Sequence, residues 1–247
     1  LGPERVRVGA VYWKCMSLLN VVVTVLIGFA IGSFANVLVD RIPNAQSMGG
    51  RSRCDRCRRT LRWWELIPIA SAVCLAHRCR TCTNKIPLRC TLVELMGGAV
   101  AFLTVARMGG QWSFASGATF VALMTLMVLA LIDAEHGIVP DVIVIPAIIA
   151  VALLALAAAG TLALAFLPML LLAMAAGGGW FALQRVLSHG RWVGDGDVRV
   201  GVLMGALLPL PMLLVAFATA YMAGGAVAAI LLARGRVARG AHIPLVP

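Results

Sequence analysis

Acidic residues are scarce in this chain. Ten Asp and Glu stand among 247 residues, against 21 Lys and Arg. The long apolar runs are almost free of them. With charged residues at 13%, hydrophobic residues at 61% and a mean hydropathy of +0.95, a soluble domain is excluded. What is left is a polytopic membrane protein. No glycine-rich phosphate-binding fingerprint is present, so no local motif marks a cofactor site. No internal repeat is visible, which tells against the repeat-built secondary transporters.

The basic start (Arg5, Arg7, Lys14), the apolar run from Leu18 and Ser33-Phe34-Ala35 superficially resemble a signal peptide. That reading is set aside. The later segments are long enough to span, and cleavage at Ala35 would export a strongly basic loop. Gly2-Pro3 and Leu245-Val246-Pro247 resemble protease-site remnants and carry no argument.

A net charge of +11 suggests nucleic acid as a partner, but its distribution argues otherwise. Between Asp40 and Cys90 eleven Lys and Arg face three acids, Asp40, Asp55 and Glu65. That is the positive-inside pattern, and it makes the lipid bilayer the expected partner and loop 40–90 cytoplasmic.

The fold class expected is an all-α polytopic membrane protein with about seven transmembrane helices, six to eight allowed. They fall near 17–39, 91–107, 113–133, 139–159, 161–185, 197–209 and 211–233. The sixth is short and contains glycine, so it tilts, stops partway or lines a cavity. Leu66 to Ala76 is too short to span, contains Pro68, and reads as an interfacial or re-entrant helix. With loop 40–90 inside, the ends of spans three and five and the tail with Arg234, Arg236 and Arg239 are inside too. Asp133 and Asp197 then reach the same face although 64 positions separate them.

Carboxylates beside hydrocarbon are costly and are functional candidates. Asp133 ends an apolar run, facing the negative end of a helix dipole, which ordinary turn-making does not explain. Asp141, after Pro140, reads as a helix-start residue accounted for by capping. In Gly194-Asp195-Gly196-Asp197 the glycines allow close backbone approach. Asp197, nearer the apolar run, is the chosen acid and Asp195 a solvated one. Two acids on one face suggest the acid/base chemistry of an aspartic protease.

Cys54-Asp55-Arg56-Cys57 and Cys79-Arg80-Thr81-Cys82 are two CxxC pairs 21 residues apart. In a reducing cytoplasm they point to a structural four-thiolate zinc site, a zinc-ribbon-like insert with no open coordination position. Cys15, Cys74 and Cys90 read as membrane or interfacial residues, and His77 and His136 have no metal partners. Glu94 either joins a polar cluster or pairs with Arg89. Gly97-Gly98 and Gly177-Gly178-Gly179 read as close helix-packing sites.

Gly32-Ser33-Phe34-Ala35-Asn36-Val37 with Arg41-Ile42-Pro43, the two CxxC pairs, Arg89 through Val93-Glu94-Leu95, Ile132-Asp133 with Pro140-Asp141, and Gly194-x-Gly196-Asp197-Val198-Arg199 occur in this order. Together they resemble the bacterial type IV prepilin peptidases, membrane aspartic proteases of the GxGD kind. The resemblance implies that Asp133 and Asp197 form a catalytic dyad acting on water, titrating as a coupled pair. It implies type IV prepilins or type II secretion pseudopilins as substrates, cut behind a short basic leader at the cytoplasmic face of the bacterial inner membrane. It also implies N-methylation of the new N-terminus with S-adenosylmethionine, associated with loop 40–90, with no binding residue assigned.

The domain reading is 1–39 for the N-terminus and first helix, 40–90 for the zinc-binding loop, 91–234 for the peptidase domain and 235–247 for the tail. Two rival readings stay open from the residues alone. One is a signal-peptide-peptidase-like GxGD protease, and the other a transporter using Asp133 and Asp197 as proton or cation sites. A zinc-stabilised scaffold without catalysis leaves the placing of those acids unexplained.

Overall fold

The computed structural model describes residues 18–54 and 56–233. Arg5, Arg7, Lys14, Cys15, Asp55, Arg234 and the tail 235–247 lie outside the described residues. The described part is helical without a strand. In chain order the helices are α1 (Leu18–Arg41), α2 (Ala70–Cys74), α3 (Leu88–Arg107), α4 (Phe114–His136), α5 (Asp141–Ala159), α6 (Ala163–Leu187), α7 (Asp195–Leu207) and α8 (Leu210–Ala233).

Five stretches are long and apolar enough to cross a bilayer: α1, α3, α4, Asp141–Leu187 and Leu210–Ile230. The fourth, of 47 residues, is broken by a 3-10 turn at Gly160–Leu162, where Gly160 has φ +57°. It therefore holds α5 and α6, of 19 and 25 residues, each able to cross at ~1.5 Å per residue. The expected short span is α7, whose 13 residues cover about 20 Å of a ~30 Å core. Apolar side chains point outward along these helices; Leu164 is 85% exposed and Met222 75%. Such a surface suits lipid, and the chain is a multi-pass membrane protein.

The chain divides into two compact units at Ser116/Gly117. In the first, α1 and α3 pack backbone to backbone. A Cβ on Gly28 would stand 2.5 Å from the Gly97 carbonyl oxygen, and one on Gly32 2.7 Å from that of Val93. Small residues at this seam replace the apolar driving force that lipid cannot supply. One turn further, Asn36 Nδ2 donates to the Cys90 carbonyl at 3.0 Å.

Between α1 and α3 the chain makes a near-coreless insert. Among its described residues only Glu65 and Cys79 are buried. The expected helix over Leu66–Ala76 is shorter than the sequence suggested. A 3-10 turn at Trp63–Leu66 gives way at Pro68, Ile69 takes φ +61°, and five residues of α2 follow. Proline disfavours helical backbone at the residue before it, and so breaks the stretch.

The insert also contains a repeat that the sequence reading passed over. An isolated bridge pairs Arg53 with Thr60, and another pairs Arg78 with Lys85. Cys54 N–H donates to Arg59 and Arg58 N–H to Cys54; Cys79 N–H donates to Asn84 and Thr83 N–H to Cys79, all at 2.8–2.9 Å. Arg58 and Thr83 hold matching left-handed φ values of +57° and +55°. Each CxxC thus sits in the same tight knuckle.

In the second unit, α7 is the central element. Gly177 and Gly201 bring α6 against it, and Ala173 meets Gly205. On its other side Leu203 and Ala206 pack with Ala118, Ala122, Ala147 and Val151 of α4 and α5. Gly178 of α6 likewise meets Val198 and Val202 of α7, whereas Gly179 has open space and plays no packing role.

Candidate active site and metal centre

At one end of the second unit, α4, α5 and α7 bring four aspartates to neighbouring positions. Beneath them Leu129, Val144 and Val200 form a buried apolar floor. Asp133 stands in the last turn of α4, after the fully buried Ile132. Its carbonyl accepts the Gly137 N–H at 2.8 Å, and Gly137 takes φ +65° as the helix ends.

Asp197 lies in the first turn of α7. The Gly194 N–H donates to its Oδ2 at 2.9 Å, fixing the carboxylate over the helix start. A negative group there is favoured by the helix dipole. Gly196 explains the close approach: a Cβ on it would lie 2.6 Å from Val139 Cβ. The first turn of α7 can therefore seat against the α4–α5 corner only without a side chain at 196.

The four aspartates differ in their partners. Asp141, expected to cap α5, makes no capping hydrogen bond; its Oδ1 pairs with Arg199 Nη1 at 2.9 Å. Asp195, expected to be solvated, pairs through Oδ1 with Arg185 Nη1 at 2.6 Å and remains more than half exposed. Among the described residues, neither Asp133 nor Asp197 has a Lys or Arg partner. Asp133 Oδ2 is buried with no hydrogen-bond partner, and Gly196 seats the start of α7, with Asp197, against Val139 of the corner that follows Asp133. A buried acceptor left empty is costly and invites a proton or a water.

In the first unit the Sγ atoms of Cys54, Cys57, Cys79 and Cys82 lie within 4.8 Å of one another. The Cys54–Cys82 and Cys57–Cys79 separations are 3.7 and 4.0 Å. Tetrahedral zinc with ~2.3 Å Zn–S bonds needs sulfurs about 3.8 Å apart, so the donor set fits the ion. The N–H groups of Cys82 and then Thr81 hold the Cys79 thiol down to about 6. At Cys82 the opposing Asn84 N–H is outweighed by burial and the neighbouring thiols, which push it up to about 11, so without an ion the cluster favours a thiolate at Cys79 and not at Cys82.

A half-buried ion pair braces this insert, and sequence reasoning missed it. Arg59 Nη2 meets Glu65 Oε1 at 2.7 Å and Nη1 meets Oε2 at 3.1 Å, while the Arg62 N–H donates to Oε2 at 2.7 Å. The guanidinium first, then the backbone donor, keep the Glu65 carboxyl below the usual range. Arg59 directly precedes Thr60 of the first knuckle, so the pair ties that knuckle to the 3-10 turn. Only a basic residue six positions before a glutamate hinted at it.

Glu94 does not pair with Arg89. Arg89 pairs with Asp40, and Glu94 Oε2 instead accepts the Ile69 N–H at 2.8 Å, anchoring the strained entry to α2. His77 Nε2 lies 3.1 Å from Thr91 Oγ1.

Comparison with known proteins matches two families in tandem. The family described as Bacterial Peptidase A24 N-terminal domain covers residues 26–108, and the Type IV leader peptidase family covers 120–229. A prepilin leader peptidase/N-methyltransferase of Myxococcus xanthus is 35% identical over 220 residues, 85% of this chain and 63% of that protein. The protein of the same description from Pseudomonas aeruginosa is 31% identical over 150 residues, 51% of each chain. That from Neisseria gonorrhoeae is 28% identical over 253 residues, 90% of this chain and 84% of that protein. The chain therefore spans about half to two thirds of the first two relatives, and more of the third. No solved structure matches.

Proposed function

We propose that this chain, which belongs to the type IV leader peptidase family, is an aspartic endopeptidase that removes the leader from type IV prepilins or type II secretion pseudopilins. The observation that carries this reading is the buried, unpartnered Asp133 Oδ2 at the corner against which Gly196 seats the Asp197 turn of α7, beside two aspartates that arginines already neutralise.

Asp133 and Asp197 would act as one unit. One carboxylate takes a proton from a water, whose oxygen attacks the scissile carbonyl carbon. The other gives a proton to the leaving amine as the tetrahedral intermediate collapses. The apolar floor of Leu129, Val144 and Val200 keeps bulk water out from below, which strengthens the electrostatic effect of each charge. Ion pairing also eases an electrostatic conflict. A basic leader approaching arginines would be repelled, but Arg185 and Arg199 are engaged by Asp195 and Asp141.

The dyad is read on the cytoplasmic face of the inner membrane, on the side of the basic loop, as charge asymmetry supports. The division into 1–39, 40–90, 91–234 and a tail 235–247 follows the same reading. The four cysteines would hold a structural zinc, and with four thiolates that ion leaves no position for chemistry. N-methylation with S-adenosylmethionine is part of the proposal because the relatives carry that description.

The test is cleavage of a purified prepilin in detergent by wild type, Asp133→Asn and Asp197→Asn. Leader removal by wild type alone is expected; cleavage at wild-type rate by either variant defeats the dyad assignment.

A further inference from the structure

The first turn of α7 touches the α4–α5 corner through one face. Gly196 seats against Val139, Val200 packs on Leu129 and Val144, and Arg199 reaches Asp141. Positions 196, 199 and 200 have the i, i+3, i+4 spacing of a single helix face. Asp197 lies beside that face. The apolar contacts set how closely α7 approaches the corner, but they are not directional. An ion pair at 2.9 Å is directional, and it resists rotation of α7 about its own axis. Such rotation would swing the Asp197 carboxylate away from Asp133, which belongs to the other side of the same corner.

The Arg185–Asp195 pair makes no such link. It joins the end of α6 to the start of α7 across ten positions of connecting chain, and both partners are close to half exposed or more.

We propose that Arg199 and Asp141 are positioning residues that set the rotation of α7 and so hold Asp197 in register with Asp133. This rests on the dyad being catalytic. Neither residue touches substrate in this reading. Because the pair is partly exposed, it adds little to global stability. A small misplacement of a reacting group, by contrast, can cost up to ~100-fold in rate.

The experiment measures kcat, KM and melting temperature for prepilin cleavage by the full chain in detergent. The variants are Arg199→Ala, Arg199→Lys, Asp195→Asn, Asp197→Asn and the charge swap Asp141→Arg/Arg199→Asp. Arg199→Ala should lose about 10- to 100-fold in kcat, with KM within about two-fold and melting within ~2 °C. Arg199→Lys, keeping the charge, and the swap, restoring the pair in reverse, should recover most of that loss. Asp195→Asn, which frees Arg185 to repel a basic leader, should raise KM while kcat stays near wild type, the opposite split from Arg199→Ala. Should Arg199→Ala fail to fold, the Lys and swap variants decide alone. A swap no better than a ten-fold loss, or an Arg199→Ala enzyme with wild-type kcat, overturns the proposal. Asp197→Asn separates the two levels: if it cleaves normally the dyad reading itself falls. If it is dead while Arg199→Ala is unimpaired, only the positioning role falls.

Discussion

The carbonyl oxygen of Gly201 lies 2.2 Å from the point where a Cβ on Gly177 would stand, and that of Gly177 lies 2.4 Å from a Cβ on Gly201. The two backbones touch reciprocally, α6 on α7. Real Cβ atoms do not come so near, so neither glycine can gain a side chain without the helices parting. Since α7 carries Asp197, its seat on α6 reaches the proposed dyad.

Gly201→Val should therefore destabilise by about 1–3 kcal/mol through overpacking, with cleavage falling further than melting. Gly179→Ala, facing open space, is the control and should leave both unchanged. Equal tolerance at 201 and 179, read by melting in detergent, would contradict the packing described.

Cys54→Ser or Cys79→Ser should lower bound zinc to well below one per chain, measured by metal analysis of the purified protein. Zinc retained in full by both variants would show that the thiolates do not hold it. Cys74→Ser, outside the cluster, should keep its metal.

Acid should loosen the insert before the helices. The folded Glu65 carboxyl titrates below its unfolded value of about 4.3. Its contribution is thus present above that pH and is lost as pH falls through the lower folded value. Limited proteolysis should find wild type protected at pH 5 and above. Glu65→Gln should be more readily cut between residues 52 and 66 even at neutral pH. Equal protection would show that the Arg59–Glu65 pair does not brace the loop.

Thr83 occupies a left-handed conformation that β-branched residues adopt only under strain. Thr83→Asn, better suited to that region, should leave zinc content intact and raise resistance to chelation. A marked loss of metal would mean that the Thr83 hydroxyl, which donates to the Cys82 carbonyl, matters more than backbone ease.

Hydropathy made the spans legible because lipid demands apolar helices whatever the tertiary detail. The candidate site was legible in part. Asp133 and Asp197 stood out as acids beside apolar runs, but nothing flagged Arg199 as the partner of Asp141. The pair spans 58 positions with no helical spacing to betray it. Glu94 was read against nearby charges, while its actual partner is a backbone N–H exposed by the unusual φ of Ile69, which no spacing rule anticipates. The knuckle repeat was visible in the cysteines, yet Arg58 and Thr83 are not residue types that advertise a left-handed turn.

The insert between α1 and α3 buries only one carboxylate and one thiol among its described residues, so apolar burial does not specify its shape. On the zinc reading proposed above, its form would be conditional. Two knuckles, each with half a ligand set, would become one object when four sulfurs share an ion. Loss of one thiol would then leave the insert with the Arg59–Glu65 pair as its brace, while the glycine seams of the helices stay closed. The same polypeptide would thus join a part held by helix packing to a part held by its thiol chemistry.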